Sequence, residues 1–443
     1  MREDIIKNLA MEGILVDADV VDLLLQNPTE ISKLKKSLGK GFWKKEDVLR
    51  IISPVEESAQ EVKKKNFTIV KNLDNIDMES SPEYFRNLFL YRYKVLFQIF
   101  KRNPALRGMV KISFAKKIDG EVAIVGMVRH IWRRKIRIED DTGWMDVVLP
   151  RDFNDVILED EVIGVRGYKK NDVIFANEVF YPDIEKVTVT KKKRGKLAVI
   201  GDVHVGSKMF EEERFLSFLD YLKGSDVDFL AVVGDLVDGV GIYPNQEEEL
   251  EYDDVYEQYD ALASYLKEIP SRIDVFLIPG NHDFVQLMEP QPPLDGEIAK
   301  KFPSNVHCLS NPSWVEIDGV RILMYHGTSL NDLIERIPNA SYENIEPALI
   351  HILKARHLVP IYGAKVSLVP TNIDHLVVDK TPHIFLTGHV HSYYVNNYKN
   401  TLVINASTWQ SMTKYQKMMN FQPVVGKVCL INLDDLSYKT LSF

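Results

Sequence analysis

The sequence predicts a multidomain α+β chain: a helical N-terminal region, a five-stranded β-barrel, and a large layered α/β domain. Three observations predict it. Apolar residues recur at helical spacing near the start, and five short strand patterns crowd the stretch after residue 108. Strand and helix patterns then alternate from residue 191 to the end. A chain of 443 residues is also long enough for more than one domain.

Composition narrows the function classes. The hydrophobic content of 45% is ordinary for a globular protein. No apolar stretch approaches the roughly 20 residues that span a bilayer. The opening MREDIIKNLAMEG carries acids where a secretory signal needs a basic start and an apolar run. No membrane partner is therefore expected. Two cysteines, Cys308 and Cys429, are too few for a disulfide framework, and a cytoplasmic setting is expected. Cys429, in VGKVCLINL, reads as a small core residue. The net charge of −9 speaks against a protein that coats DNA, though not against an enzyme acting on it. The stretch Glu247 to Asp260 supplies much of the excess, and bound divalent cations would offset several carboxylates.

Residues 1–53 read as a small helical module, with Ile5, Leu9, Ile14 and Val20 at helical spacing and a stop at Asn27-Pro28. A second helix, KKEDVLRIIS, ends before Pro54. The module reads equally as a docking element or a helical cap. Residues 54–81, polar and carrying Lys63-Lys64-Lys65, read as a linker. Ser81-Pro82 offers an N-cap followed by Pro at the first helical position. The helix expected over 82–107, containing EYFRNLFLYRYKVLFQIFKRNP, is rich in aromatics, a stripe better suited to packing than to base stacking.

Over 108–190, EVAIVGMVRHIW, RKIRIED, GWMDVVLP, DEVIGVRGY and DVIFANEVFYP are separated by turns such as Asp141-Thr142-Gly143 and Asn171-Asp172. Five such strands predict a barrel of the oligonucleotide-binding (OB) type. Arg129, Trp132, Arg133, Arg134 and Arg137 cluster there, and cations beside an aromatic suit single-stranded DNA. A barrel that contacts protein is the competing reading. Lys191-Lys192-Lys193-Arg194-Gly195 marks the boundary to the final domain, 191–443.

Within that domain five segments share one design: KLAVIGDVHVG, VDFLAVVGDLVDG, DVFLIPGNHD, VRILMYHG and HIFLTGHVHS. Each begins with an apolar, β-rich run and ends in residues that ligate metals. In α/β sheets ligands collect at the carboxyl ends of strands, so the five ends are expected at one sheet edge. Gly201, Gly234, Gly280 and Gly388 suit the tight turns required there. The candidate ligands are Asp202, His204, Asp235, Asn281, His326, His389 and His391. Imidazole with carboxylate fits a pair of divalent cations, with Mn²⁺, Zn²⁺ and Fe²⁺ all admissible. Such a pair, about 3.5–4 Å apart, can activate water and steady a phosphate. His130, His307, His351, His357, His375 and His383 fall outside the motifs and read as ordinary residues.

These five motifs resemble the calcineurin-like phosphoesterase superfamily, a four-layer α/β/β/α sandwich. The resemblance implies that Asp202, His204 and His391 hold one metal. Asn281, His326 and His389 would hold the other, with Asp235 bridging. It also implies a catalytic His282, oriented by Asp283. The order of helical module, linker, barrel and phosphoesterase resembles the B-subunit family of replicative DNA polymerases, and most of all the small subunits of archaeal D-family polymerases. YFRNLFLYRYKVLFQIFKRNP, EPQPPLDGEIAKKFPSNVHCLSNPSWVEIDGVRILMYHG and NASTWQSMTKYQKMMNFQP carry this likeness. It implies a 3′→5′ proofreading exonuclease that works on the primer 3′ end beside a large polymerizing subunit. Strand polarity is implied by the resemblance alone. A sliding-clamp peptide is not expected, because QKMMNFQP lacks the aromatic pair. A stand-alone repair nuclease and an assembly subunit with a silent site are the alternatives. The long segment before the phosphoesterase motifs speaks against the first, and the complete ligand set against the second.

Overall fold

The structure is a computed structural model that describes residues 2–16, 18–26, 31–45, 48, 65–74, 76–418 and 420–443. The Asn27-Pro28 stop, most of KKEDVLRIIS, and Lys63 and Lys64 lie outside these residues. The chain divides into two compact units, Met1–Lys65 and Asn66–Phe443.

The first unit is not purely helical. Helices Arg2–Met11, Ala18–Gln26 and Ile31–Leu38 accompany a parallel pair of strands, Ile14–Val16 and Gly41–Trp43. Gly13 takes a φ of +80°, which turns the chain out of the first helix. Ile14, expected on a helix, therefore opens a strand. Leu9, Ile14, Val20, Leu24, Leu34, Trp43 and Val48 form the core of this unit.

In the second unit the expected linker contains structure. Phe67–Lys71 is a strand, antiparallel to Ser313–Ile317. FTIVK is rich in β-branched residues, and the Phe67 ring meets Phe276 at 5.1 Å and Phe229 at 6.4 Å. The aromatic helix runs Pro82–Phe100, capped by Ser81, whose side chain accepts from the Tyr84 amide. Its stripe packs: Tyr93, Leu96 and Phe100 share a core with Ala123, Val125, Met127 and Val162.

Strands Gly120–Trp132, Lys135–Asp140, Gly143–Val148, Val162–Lys170 and Val173–Phe180 close into a barrel. All its pairings are antiparallel except that of the third strand with the fifth. Ile124, Val128, Ile136, Ile138, Met145 and Val147 are among the side chains that fill it.

Beyond the barrel stand two six-stranded sheets. In one, the order is Val306–Cys308, Asp274–Ile278, Phe229–Val233, Lys196–Ile200, Lys427–Asn432, Tyr438–Ser442. In the other it is Tyr394–Tyr398, Thr401–Asn405, Ile384–Thr387, Val320–Met324, Ser313–Ile317, Phe67–Lys71. The period of two along each strand sorts the side chains. Leu197 and Val199 join Ile322, Met324, Ile384 and Leu386 in a core between the sheets. Ala198 and Ile200 face the other way, toward Phe215, Phe218, Leu219, Tyr259 and Leu262 of helices Glu212–Gly224 and Val255–Lys267. Leu323 and Phe385 of the second sheet likewise meet helices Leu330–Arg336 and Glu346–Ala355. Cys429 is fully buried in its strand, as expected.

Candidate metal centre

The five motifs lie at the ends of strands Lys196–Ile200, Phe229–Val233 and Asp274–Ile278 in one sheet, and Val320–Met324 and Ile384–Thr387 in the other. The expected single edge is therefore split, with each sheet contributing part of one cluster. Asp202, His204, Asp235 and His391 present ligand atoms within 4.8 Å of one another, as do Asp235, His326 and His389. Asp235 belongs to both groups. His204 Nε2 lies 3.0 Å from His391 Nε2. Asp202 Oδ1 lies 3.7 Å from His391 Nε2, and Asp235 Oδ2 is 3.8 Å from His204 Nε2 and 3.3 Å from His326 Nε2. Asn281 Oδ1 is 3.1 Å from His326 Nε2. Donors of this kind could hold metal ions.

The backbone is bent to achieve this. Asp202, His204, Asp235, His389 and His391 all take φ between +47° and +72°. Non-glycine residues held in that region cost of order 1–3 kcal/mol each and gather at functional sites. The motif glycines serve partly another purpose than turning the chain. A Cβ on Gly280 would sit 2.2 Å from Asp235 Oδ1, and one on Gly388 would sit 2.5 Å from Asp202 Oδ2. Neither has a positive φ. They leave room for the carboxylates.

Charges inside the cluster act strongly because the groups are largely buried. Burial pushes the Asp202 carboxyl well up from its ordinary value. Burial also disfavours ionised Asp235, yet His326, His282 and His204 hold that carboxyl well below the usual range. Burial works against a His326 imidazolium too, but Asp235 lifts its pKa to about 10. His389 falls to about 3 through burial and the neighbouring His326 charge.

Around the cluster lie residues that the motifs did not single out. Asp238 Oδ1 contacts His204 Nδ1 at 3.0 Å and accepts from Gln410 Nε2 at 2.8 Å. Gln416 Nε2 lies 2.8 Å from His391 Nδ1, and Asn331 Nδ2 lies 2.8 Å from His389 Nε2. Only Asp238 was legible, as the second acid in VVGDLVDG. A cavity of about 260 Å³ opens on the cluster, lined among others by His282, Tyr243, Tyr342 and Phe421.

His282 lies beside this cavity, but Asp283 does not orient it. The Asp283 carboxylate accepts from the amides of Gly280 and Leu236 and from the Tyr259 hydroxyl. Burial and Asp235 raise its pKa to about 7. The partner of His282 Nδ1 is the backbone carbonyl of Asp238, at 2.7 Å. Adjacent residues point apart here, so sequence neighbourhood misleads. The barrel residues are placed elsewhere. Arg129 is held between Glu139 and Asp160, and Arg134 donates to the Leu149 carbonyl. Arg133 occupies the turn after Trp132 with a φ of +38°.

Comparison with known proteins agrees along almost the whole chain. The family of B subunits of DNA polymerase alpha/epsilon matches residues 197–396. A DNA polymerase II small subunit from Thermoplasma acidophilum is 39% identical, covering 98% of this chain and 91% of the relative. Proteins of the same description from Archaeoglobus fulgidus and Methanothermobacter thermautotrophicus are 36% and 35% identical. They cover 96% and 97% of this chain, and 88% and 98% of their own lengths. With identity of this level sustained from end to end, the chain belongs to the family of archaeal DNA polymerase II small subunits.

Proposed function

We propose that this chain is a 3′→5′ proofreading exonuclease that hydrolyses DNA phosphodiester bonds with two divalent cations. It would act beside the large polymerizing subunit implied by the family's name. The observation that carries this is the pair of buried ligand groups sharing Asp235 at the floor of a cavity. The donor set fits: four imidazoles, two carboxylates and an amide oxygen suit Mn²⁺, with Zn²⁺ or Fe²⁺ also accommodated. Asp202, His204 and His391 would hold one cation, and Asn281, His326 and His389 the other, with Asp235 shared. On this reading residues 191–443 are a calcineurin-like sandwich, completed by strand Phe67–Lys71, and 108–190 an OB-type domain.

Two bound cations would supply an activated water and a clamp on the phosphate oxygens. The chain's own residues do the rest. Carbonyl oxygens only accept, so the Asp238 carbonyl fixes a proton on His282 Nδ1. That contact orients the ring; in its imidazolium form the second proton, on Nε2, would pass to the departing 3′ oxygen and leave the neutral Nδ1–H ring. The Asp238 carboxylate and the Val233 carbonyl accept from Nδ1 of His204 and His326, fixing those rings with Nε2 free to ligate, while Gln416 and Asn331 pack against His391 and His389. Asp283 braces the loop Gly280–Asp283 against Leu236 and Tyr259.

The test uses the chain assembled with its large subunit and a primer bearing a mispaired 3′ end. With Mn²⁺ the terminal nucleotide is released, and a chelator stops the release. If the assembled enzyme leaves mispaired ends intact under every divalent cation, the site is silent and the reading fails.

A further inference from the structure

Away from the metal centre, the barrel carries exposed aromatic rings interleaved with cations. Ile136, Ile138, Met145 and Val147 point into the barrel. Strand alternation therefore turns Lys135, Arg137, Trp144 and Asp146 outward. Trp132 pairs opposite Lys135, and Arg137 pairs opposite Asp146, so the outward groups form one continuous face. Trp132 and Trp144 are 46% and 45% exposed. The Arg137 guanidinium lies 3.8 Å from the Trp144 ring centre and 5.5 Å from that of Trp132. Lys135 Nζ is 5.6 Å from Trp132, and Lys116 Nζ is 4.7 Å from Trp144. The face continues through Phe175, paired with Val148, and then Tyr168, paired with Phe175. These two rings are also exposed.

The charge of this face has a definite sign. Asp146 binds both Arg137 and Lys135, at 2.7 and 2.6 Å, and so offsets one of those two charges. Glu139, which also turns outward opposite Trp144, is matched by Arg129, and Lys116 adds a further positive charge. A patch of surplus cations among exposed rings stands out on a chain of net charge −9. A protein-binding patch would draw on the rings, but surplus cations beside them favour a polyanion with flat apolar groups.

We propose that this face binds single-stranded nucleic acid, stacking bases on Trp132 and Trp144 while Lys116, Lys135 and Arg137 meet the phosphates. The site goes beyond the nuclease centre and stands without it. It keeps Trp132 and Arg137 from the cluster suggested by sequence but not Arg129 and Arg134, which are engaged within the fold.

The tryptophans themselves report on it. Of the five in the chain, Trp43, Trp314 and Trp409 are buried. The full-length chain is titrated with oligodeoxythymidine in the presence of a chelator, following tryptophan fluorescence and the anisotropy of a labelled oligonucleotide. Saturable quenching is expected, with an affinity that falls as salt rises. Trp144→Ala should weaken binding by about 5- to 100-fold, the usual range for losing one stacking ring. Trp144→Phe keeps a stacking surface and should retain most of the affinity, which separates lost stacking from a damaged barrel. Arg137→Gln should lower the salt dependence by about one phosphate contact. Absence of binding, or wild-type affinity in both Trp132→Ala and Trp144→Ala, overturns the proposal. So does equal weakening by Trp144→Ala and Trp144→Phe. If a polypeptide is the true occupant, the oligonucleotide fails to bind, and that outcome overturns it as well.

Discussion

Two buried clusters of His and Asp lie in this fold, and they solve the problem of dry charge in opposite ways. In one, Arg92 Nε donates to Asp374 Oδ2 at 2.8 Å, and His357 Nε2 meets the same oxygen at 2.9 Å. Arg92 Nη1 reaches the carbonyls of Pro360 and Asp160, Asp374 Oδ1 accepts from Leu376, and His357 Nδ1 accepts from Val359. Positive and negative charge cancel inside the group, and none of the three residues has a positive φ. In the candidate metal centre, imidazole nitrogens converge on one another and on two carboxylates, largely from backbone held in the left-handed region. A cluster whose charges cancel internally is structural, even with Arg92 Nη2 left without a partner among the described residues. One whose acceptor atoms converge is arranged for something positive to be shared between them.

That contrast can be broken by experiment. Asp235→Asn removes the one carboxylate common to both ligand groups. Cleavage by the assembled enzyme should fall to background with metal lost and the fold retained, as read by single-turnover kinetics beside metal content. Near-normal cleavage would mean the two clusters do not differ in kind. His282→Ala should be less severe, a loss of ~10²–10⁴-fold in rate with metal content unchanged. Metal lost together with activity would make His282 a ligand instead.

The other cluster should respond in stability rather than chemistry. Arg92→Met strands the Asp374 carboxylate and should cost ~3–5 kcal/mol in urea unfolding, with activity per folded molecule preserved. Combining it with Asp374→Leu should recover part of that loss; no recovery would argue against charge stranding as the cause. The smallest effect concerns acid. Burial disfavours ionised Asp374, but His357 and Arg92 hold its carboxyl far below the ordinary range. Its pKa is therefore depressed on folding. The stability it contributes is present above the unfolded value of ~3.9 and is lost as pH falls toward the folded one. Asp374→Asn should flatten the acid limb of stability below about pH 4, measured as urea midpoints at successive pH values. An unchanged limb would show that other carboxylates control it.

The two clusters were not equally legible in sequence. Asp202, His204, Asp235, Asn281, His326, His389 and His391 announce themselves because each follows a β-rich run, so pattern and chemistry coincide. Arg92 and Asp374 lie 282 residues apart with no motif around either, and only the folded chain brings them together. The division of the five strands between two sheets was likewise hidden, since a strand's sequence does not name its neighbours. His282 lines the cavity, whereas the Asp283 carboxylate turns to Gly280, Leu236 and Tyr259, because sequence adjacency says nothing of side-chain direction. Ile14 was lost to a helical period that Gly13 interrupts, and Phe67–Lys71 to the polar residues on either side of it.

That last strand has a practical consequence. Phe67–Lys71 is the outermost strand of its sheet, and it covers the backbone of Ser313–Ile317. A truncation that begins after Lys71 would keep every candidate metal-ligand motif and still bare the SWVEI edge. Unpaired edges of this kind template intermolecular pairing. A version of this chain that begins after Lys71 is therefore expected to aggregate more readily than one that begins before Phe67.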